Sequence, residues 1–483
     1  MLTKHRNRKV QRISRLRGVE ALETRRLLSS TFYVSPKGND ANTGTDIQDA
    51  WQHIQQAMNA ATPGSTVLVE PGIYNEKVTV NVSGDATDGF ITFQAVGRVT
   101  ITGRGLPAGN IITITGQNYV QIIGFNIQDN VNAYDASGIR ITGADNNIQI
   151  LNNTIHHITG TRAMGITVYG TDAVNGISNL VVSGNQIYDC QPALGETLTL
   201  AGNVYDFTVT NNYVHDVNNI GIDFIGGEGF SSNPATDIVR DGEVSGNRIT
   251  RAHFVGTGRD AAGIFVDGGQ NIVVERNTAW NDDVGIEVNA VQPGAVCINV
   301  IVRDNYVFDN RESGISIGAS QQTDGTEEDC QVTNNTLYHD NTEHDGDGEI
   351  RLQYGSDNLI ENNLVVGLRG TQLFDGTFGS ANNTSDYNLF YSPDGPNNSH
   401  YEWNDFPYTG LSLFENASGQ DVNSIFANPL LVSPGSFIPR ISRRSPAINA
   451  GDPTYTPGAG ETDFNGQPRL LGSAVDIGAV EVG

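Results

Sequence analysis

The 483-residue sequence predicts an all-β fold, a right-handed parallel β-helix with a short N-terminal capping helix. Three observations predict it. One strand–Asn–strand unit recurs from Asn126 to Asn363, a second column of Gly-Ile strands follows the Asn turns, and no helical stretch interrupts either.

The recurring unit has the form V/I-x-x-N, as in Ile150-Leu151-Asn152-Asn153, Val209-Thr210-Asn211-Asn212 and Val332-Thr333-Asn334-Asn335. Its last Asn residues, counted from Asn126, are 27, 32, 27, 35, 30, 28, 30 and 28 apart. A period in this range marks a solenoid, and strands of three to five residues exclude leucine-rich and helical repeats. Coils of such a solenoid lie ~4.8 Å apart. An Asn at the same turn of each coil can therefore hydrogen-bond to the next, satisfying turn groups that burial would otherwise orphan. The second column, Gly221-Ile222-Asp223-Phe224, Gly263-Ile264-Phe265-Val266, Gly285-Ile286-Glu287-Val288 and their equivalents, has strand period two. With Ile inward, Arg140, Thr167, Asp223, Phe265, Glu287 and Ser316 form one outward ladder.

Four segments follow: a basic leader over 1–31, an N-terminal strand and capping helix over 32–75, the β-helix over 76–390, and terminal coils with a closing module over 391–483. Ile47, Trp51, Ile54, Met58 and Ala61 fall at helical spacing, as expected of a cap over the open end.

Charge is uneven. Residues 1–26 hold nine Lys/Arg and two Glu, and the remainder carries a balance of −33. So acidic a body disfavours nucleic acid and anionic membrane, while leaving divalent cations such as Ca²⁺ possible. No required cofactor is evident, and no apolar run reaches the ~20 residues of a membrane span. Three cysteines, Cys190, Cys297 and Cys330, cannot all pair. A monomer is expected.

Candidate chemistry lies in the middle coils. Asp223 and Glu287 share the outward column two coils apart, and Asp267 sits on the intervening coil. Paired carboxylates about 5–9.5 Å apart are what glycoside hydrolysis requires. Asp267 and Glu287 are the preferred catalytic pair, with Asp223 as a third acidic group. Glu196 and Glu228, the latter in the long insert Gly226–Glu243, are expected beside them. Arg259 and Trp280 are further substrate-binding candidates. A calcium or structural role, or a plain solvated face, would account for the same carboxylates. His156, His157, His215, His253 and His339 read as turn residues, and His344–Glu349 as an acidic loop.

The entry Tyr33-Val34-Ser35-Pro36-Lys37-Gly38-Asn39-Asp40 and the stretch Pro63-Gly64-Ser65-Thr66-Val67 through Pro71-Gly72-Ile73-Tyr74 resemble the start of pectate-lyase-like right-handed β-helix proteins. Ser445-Pro446-Ala447-Ile448-Asn449-Ala450-Gly451-Asp452 and Asp476-Ile477-Gly478-Ala479-Val480-Glu481 are similar to the choice-of-anchor closing module of such surface proteins. Glu20–Ser29 resembles a planctomycete export leader. The resemblance implies an extracellular or cell-surface protein whose partner is polysaccharide. It implies either a carbohydrate-active enzyme, glycosidase or polysaccharide lyase, or a non-catalytic adhesion protein. Lysine-based lyase chemistry is disfavoured, because the four lysines (Lys4, Lys9, Lys37 and Lys77) all precede the repeat; Arg162, Arg240, Arg251 and Arg259 are the alternative bases.

Overall fold

The structure is a computed structural model that describes residues 30–256, 261–344, 346–377, 379 and 381–483. The leader call on 1–31 falls almost wholly outside the described residues, as does Arg259.

The chain winds as a parallel β-helix with three strand faces. The first is a 15-stranded sheet whose neighbours come from successive coils. The second and third faces are stacked the same way, and two long strands, Asn126–Thr142 and Thr154–Gly170, run around the corner between them. Aliphatic residues such as Ile150, Val182, Val209, Ile222, Ile264 and Ile286 point inward and form one continuous buried core.

The Asn column holds the coils in step. Asn153, Asn185, Asn212, Asn247, Asn277, Asn305, Asn335 and Asn363 each donate Nδ2–H to the next member's Oδ1, the last of them to Asn388, at 3.0–3.1 Å. That same Oδ1 also accepts the backbone N–H of the preceding Asn, as from Asn247 to Asn277 at 2.9 Å. Each Nδ2 gives its other hydrogen to a carbonyl of the coil before, Val244 for Asn277. The ladder ends on Asp421, which accepts from Asn388 at 2.9 Å.

The residue before each ladder Asn is left-handed, with φ 55° at Asn152 and Asn211 and 56° at Asn334. Asn and Gly tolerate that region best, which is why Gly184 and Gly246 alternate with Asn there. Asn126 is not a ladder member. Phe125 holds that slot, its N–H bonding Asn153 Oδ1 at 3.0 Å, and Asn126 pairs one place later with Thr154. The first interval is therefore one residue longer than the sequence pattern implied.

The expected helix over Ile47–Ala61 is divided. A short 3-10 turn, Ile47–Asp49, precedes the helix Ile54–Ala60. Trp51 breaks the run because it pairs with Val34, stacks on Phe32 at 5.1 Å and donates its indole N–H to Asn42. Glu76 receives the first helical N–H groups, from Ile54 and Gln55, and Ile54, Ala57 and Met58 are buried over the first coil.

At the other end the helix Leu411–Ser418 covers the last coils, with Phe414 stacked on Tyr401 at 5.0 Å. The closing segment does not sit on that end. It folds back along the second face, where Ile441, Ala447, Ile477 and Val480 pack on Leu364, Val366 and Leu389. Arg469 is its buried anchor, donating to Asn334 Oδ1, Asp476 O and Gly478 O and ion-paired with Asp304 at 3.3 Å and Glu481 at 3.4 Å.

Replacing Asn277 by Ala orphans the Asn247 donors and the Val244 carbonyl together. The expected cost is about 1–3 kcal/mol per group left unsatisfied, summing less than additively. Denaturant unfolding of Asn277→Ala checks this, with the exposed Asn397→Ala as the control.

Candidate functional site

The third face carries the candidate site. Strand register places Arg140, Thr167, Thr199, Asp223, Phe265, Glu287, Ser316, Arg351, Asp375 and Glu402 in one column, one residue per coil. The residues flanking Asp223 and Glu287, namely Ile222, Phe224, Ile286 and Val288, are in the core, so the column faces outward. Asp267 pairs with Ile225 on one side and Asn289 on the other. It is therefore a diagonal neighbour of both Asp223 and Glu287.

Between those two lies Phe265, which packs outside the main core with Ile220, Ala262 and Val284. This small apolar cluster removes water from the carboxylates beside it. Asp223 is 2% exposed and Asp267 4%. Burial, then the neighbouring Glu196 and Asp267, holds Asp223 well above the carboxylate range. Burial also pushes Asp267 up to about 8, the Val291 amide at 2.8 Å opposing it and Glu228, Glu287 and Glu196 adding to it. Glu196 rises to about 7 through burial and then Glu228, with the Thr199 hydroxyl pulling the other way. Glu327, fully buried on a neighbouring turn and absent from the sequence-based candidates, rises to about 8, again chiefly through burial. Glu287 is half-buried and accepts from Asn289 Nδ2 at 3.2 Å.

The insert after Asp223 forms a wall. Glu228 in it is exposed and accepts from Gln292 Nε2 at 3.3 Å, and a cavity of about 520 Å³ is lined by Ser231 and Asp237 of the insert with Gly268 and Val296. Asp237 fixes the insert by accepting the N–H groups of Gly229 and Ser231. Glu196, Asp223, Glu228, Asp267 and Glu287 thus gather as the sequence implied.

Trp280 does not join them. It lies on the second face, stacked with Phe308 at 5.9 Å and closed over by Phe437 of the returning C-terminal segment at 4.9 Å. Its ring is used within the protein because that segment needs an apolar seat, which the local sequence does not reveal. Phe230 is likewise occupied, against Tyr169 at 4.7 Å. Among the described residues, no three His, Cys, Asp or Glu side chains converge closely enough to hold one metal ion.

Of the histidines read as turn residues, His157 and His339 hold turn positions, whereas His156 and His215 are paired strand residues of the second face. His157 and His339 are left-handed turn residues at the position that Asp189, Asp216 and Asp309 take on other coils. His156 and His215 stack on either face of Tyr188, at 4.8 and 4.9 Å. Glu349 of the acidic loop is buried and ends a second turn ladder, accepting from Asp340 N, while Asp340 accepts from Asn310.

A carboxyl whose pKa is raised by folding stabilises the folded state below its unfolded value and loses that contribution as pH climbs through the folded value. For Asp267 the window runs from its ordinary 3.8 to about 8. Stability should therefore fall between pH 5 and pH 8. Asp267→Asn keeps an acceptor for Val291 N–H and should raise stability at pH 8 by roughly 1–3 kcal/mol with little effect at pH 4. Thermal unfolding of both proteins across that range checks the sign.

Comparison with known proteins agrees with this architecture. The family model described as right handed beta helix region matches residues 200–339, and that of a protein of unknown function, DUF1565, matches residues 36–249. Among solved structures, XylC in complex with xylose superposes with a TM-score of 0.58 at 12% identity, covering 83% of this chain and 87% of that one. The Streptococcus pneumoniae surface adhesin PfbA gives 0.52 at 14% identity, covering 78% and 94%. A family 28 exopolygalacturonase of Yersinia enterocolitica gives 0.51 at 13% identity, covering 73% of each chain. At such identities these likenesses establish the fold alone. Closer in sequence is the uncharacterized protein YwoF of Bacillus subtilis, 31% identical over 436 residues that make up 86% of this chain and 92% of its relative. The chain is a right-handed parallel β-helix protein and belongs to the family of YwoF.

Proposed function

We propose that the protein is an exported, carbohydrate-active enzyme that hydrolyses polysaccharide at the third-face carboxylates. The observation that carries the reading is the pairing of unlike environments. Asp267 is buried and held near 8, so it keeps its proton at neutral pH, while Glu287, a diagonal neighbour on the next coil, is only half-buried. Two carboxyls whose surroundings differ in this way divide the roles of acid and base.

Asp267 gives its proton to the glycosidic oxygen as the bond to the anomeric carbon breaks. Glu287 takes a proton from the water that attacks that carbon. Diagonal neighbours on adjacent strands stand about 7–8 Å apart at the backbone. That separation leaves room for the water and favours inversion of configuration. Asp223, buried and protonated, positions the acid, and Phe265 supplies an apolar floor.

A lyase mechanism through arginine is less favoured. Arg251 is bound by Asp216, its Nη2 at 2.7 Å, which raises its pKa and opposes any role as base. Arg240 lies over Tyr205 and bonds Asn203. The export signal resembled by the leader and the fold shared with PfbA support a surface location, and a purely adhesive role is the rival.

Incubation with a polysaccharide panel should release new reducing ends. Asp267→Asn and Glu287→Gln should each lower the rate by about 10²–10⁴-fold without loss of fold. The wild-type rate should fall as pH rises through about 8, where Asp267 ionises. Unsaturated, ultraviolet-absorbing ends would mean a lyase, and measurable binding without either product would mean an adhesin.

A further inference from the structure

The outward column does not stop at the proposed catalytic pair. Beyond Glu287 and Ser316 it continues through Arg351 and Asp375 to Glu402, with Asp347 and Asp405 beside it. Arg351, the cation of this stretch, is spent internally, on Asp347 at 2.7 Å and Asp375 at 3.6 Å. From Asp223 to Glu402 the column spans seven coils, or roughly 29 Å at ~4.8 Å per step. Half-buried Glu196, Glu287 and Glu402 and exposed Glu228 and Asp405 line its way.

Two features point to a ligand that is cationic and extended. Asp223 is almost wholly buried, yet its Oδ1 has no hydrogen-bond partner, and the titratable groups that bear on it are all acidic, Glu196, Asp267 and Glu228. An unpaired buried acceptor of this kind costs free energy unless a donor is brought to it. The acids are also strung along the axis, Asp223, Glu287, Asp375 and Glu402 standing two, three and one coils apart with Asp267 and Asp347 beside intervening coils, and do not converge on a point. A single ion satisfies a convergent set, whereas a polymer with one positive group per repeat satisfies a ladder.

Resting on the hydrolase reading for its active centre, we infer that the third face takes a polysaccharide whose sugars carry free amino groups, lying along the helix axis with its ammonium groups over Glu196, Asp223, Glu287, Asp375 and Glu402. The pyranose ring bears on Phe265, and the ammonium hydrogens meet the carboxylate oxygens. Polyuronates are excluded from the same track by charge. Because Glu196 and Asp375 sit near 7, an arriving cation favours their ionised forms, so binding releases protons at neutral pH while Asp267 keeps the proton it donates.

The test is calorimetric titration at pH 7 with glucosamine oligomers, their fully N-acetylated counterparts, galacturonate oligomers and oligolysine, in buffers of differing ionisation enthalpy. Glucosamine oligomers should bind at least about tenfold more tightly than the acetylated ones, with net proton release and loss of affinity in high salt. The double variant Asp375→Asn/Glu402→Gln should weaken long oligomers more than short ones. Equal affinity for acetylated oligomers, tighter binding of galacturonate, or equal binding of oligolysine would overturn the inference. So would calcium chloride alone releasing the same protons and blocking the oligomer. Reducing ends liberated from a neutral polymer without amino preference would remove this inference and leave the hydrolase reading. Tight, proton-releasing binding of glucosamine oligomers without cleavage would do the reverse.

Discussion

Each ladder Asn side chain makes four hydrogen bonds along the helix axis, and these fix the step from coil to coil. One oxygen receives two donors from the coil before, and one amide serves both the coil after and a carbonyl behind it. Because these groups are buried, a coil that slipped by one residue would orphan several of them at once. Register on all three faces follows, since strands of one coil are joined by short turns to that fixed point.

That register makes a site out of residues far apart in the chain. Asp223, Asp267 and Glu287 become neighbours because Ile222, Ile264 and Ile286 occupy equivalent inward places on successive coils. The scaffold supplies rigidity, and turn length supplies variation. The insert carrying Glu228 and Asp237 grows out of the turn after Asp223, and a cavity opens behind it. The electrostatic character comes from a third source, the Phe265 cluster, which dries the floor against which these carboxyls lie. Burial is the largest influence on Glu196, Asp223, Asp267 and Glu327 alike; repulsion from a neighbouring acid comes next for Glu196 and Asp223, while backbone amides oppose the shift next for Asp267 and Glu327.

The same principle recurs away from the site. Asp282, Asn310, Asp340 and Glu349 form a shorter turn ladder in which carboxyls replace amides. An amide brings both donor and acceptor, whereas an ionised carboxylate brings acceptors only. Asp340 Oδ1 accepts both donors of Asn310, its Oδ2 has no partner to pass the ladder on, and burial holds its carboxyl near 8. The C-terminal return segment adds a different tie, lying across the coils and fastening them through Arg469 and Phe437.

By itself the sequence determined the solenoid, its period, the inward and outward alternation and the column that holds Asp223, Phe265 and Glu287. Those are local properties, written in strand period and in turn residues that tolerate left-handed backbone. It misplaced the ladder start at Asn126, because Phe125 holds the slot through its backbone alone. It ran one helix through Trp51, whose contacts with Val34 and Phe32 are tertiary. Tertiary structure alone decided that Trp280 is covered, that Glu327 joins the buried acids, and that Arg351, Asp375 and Glu402 extend the column. Covering Trp280 depends on a segment more than 150 residues away. The extension was hidden because Gly348-Glu349-Ile350-Arg351 and Gln372-Leu373-Phe374-Asp375 depart from the Gly-Ile signature while keeping its register. Which carboxyl keeps its proton depends on how much water reaches it, and that is settled only when the coils are stacked.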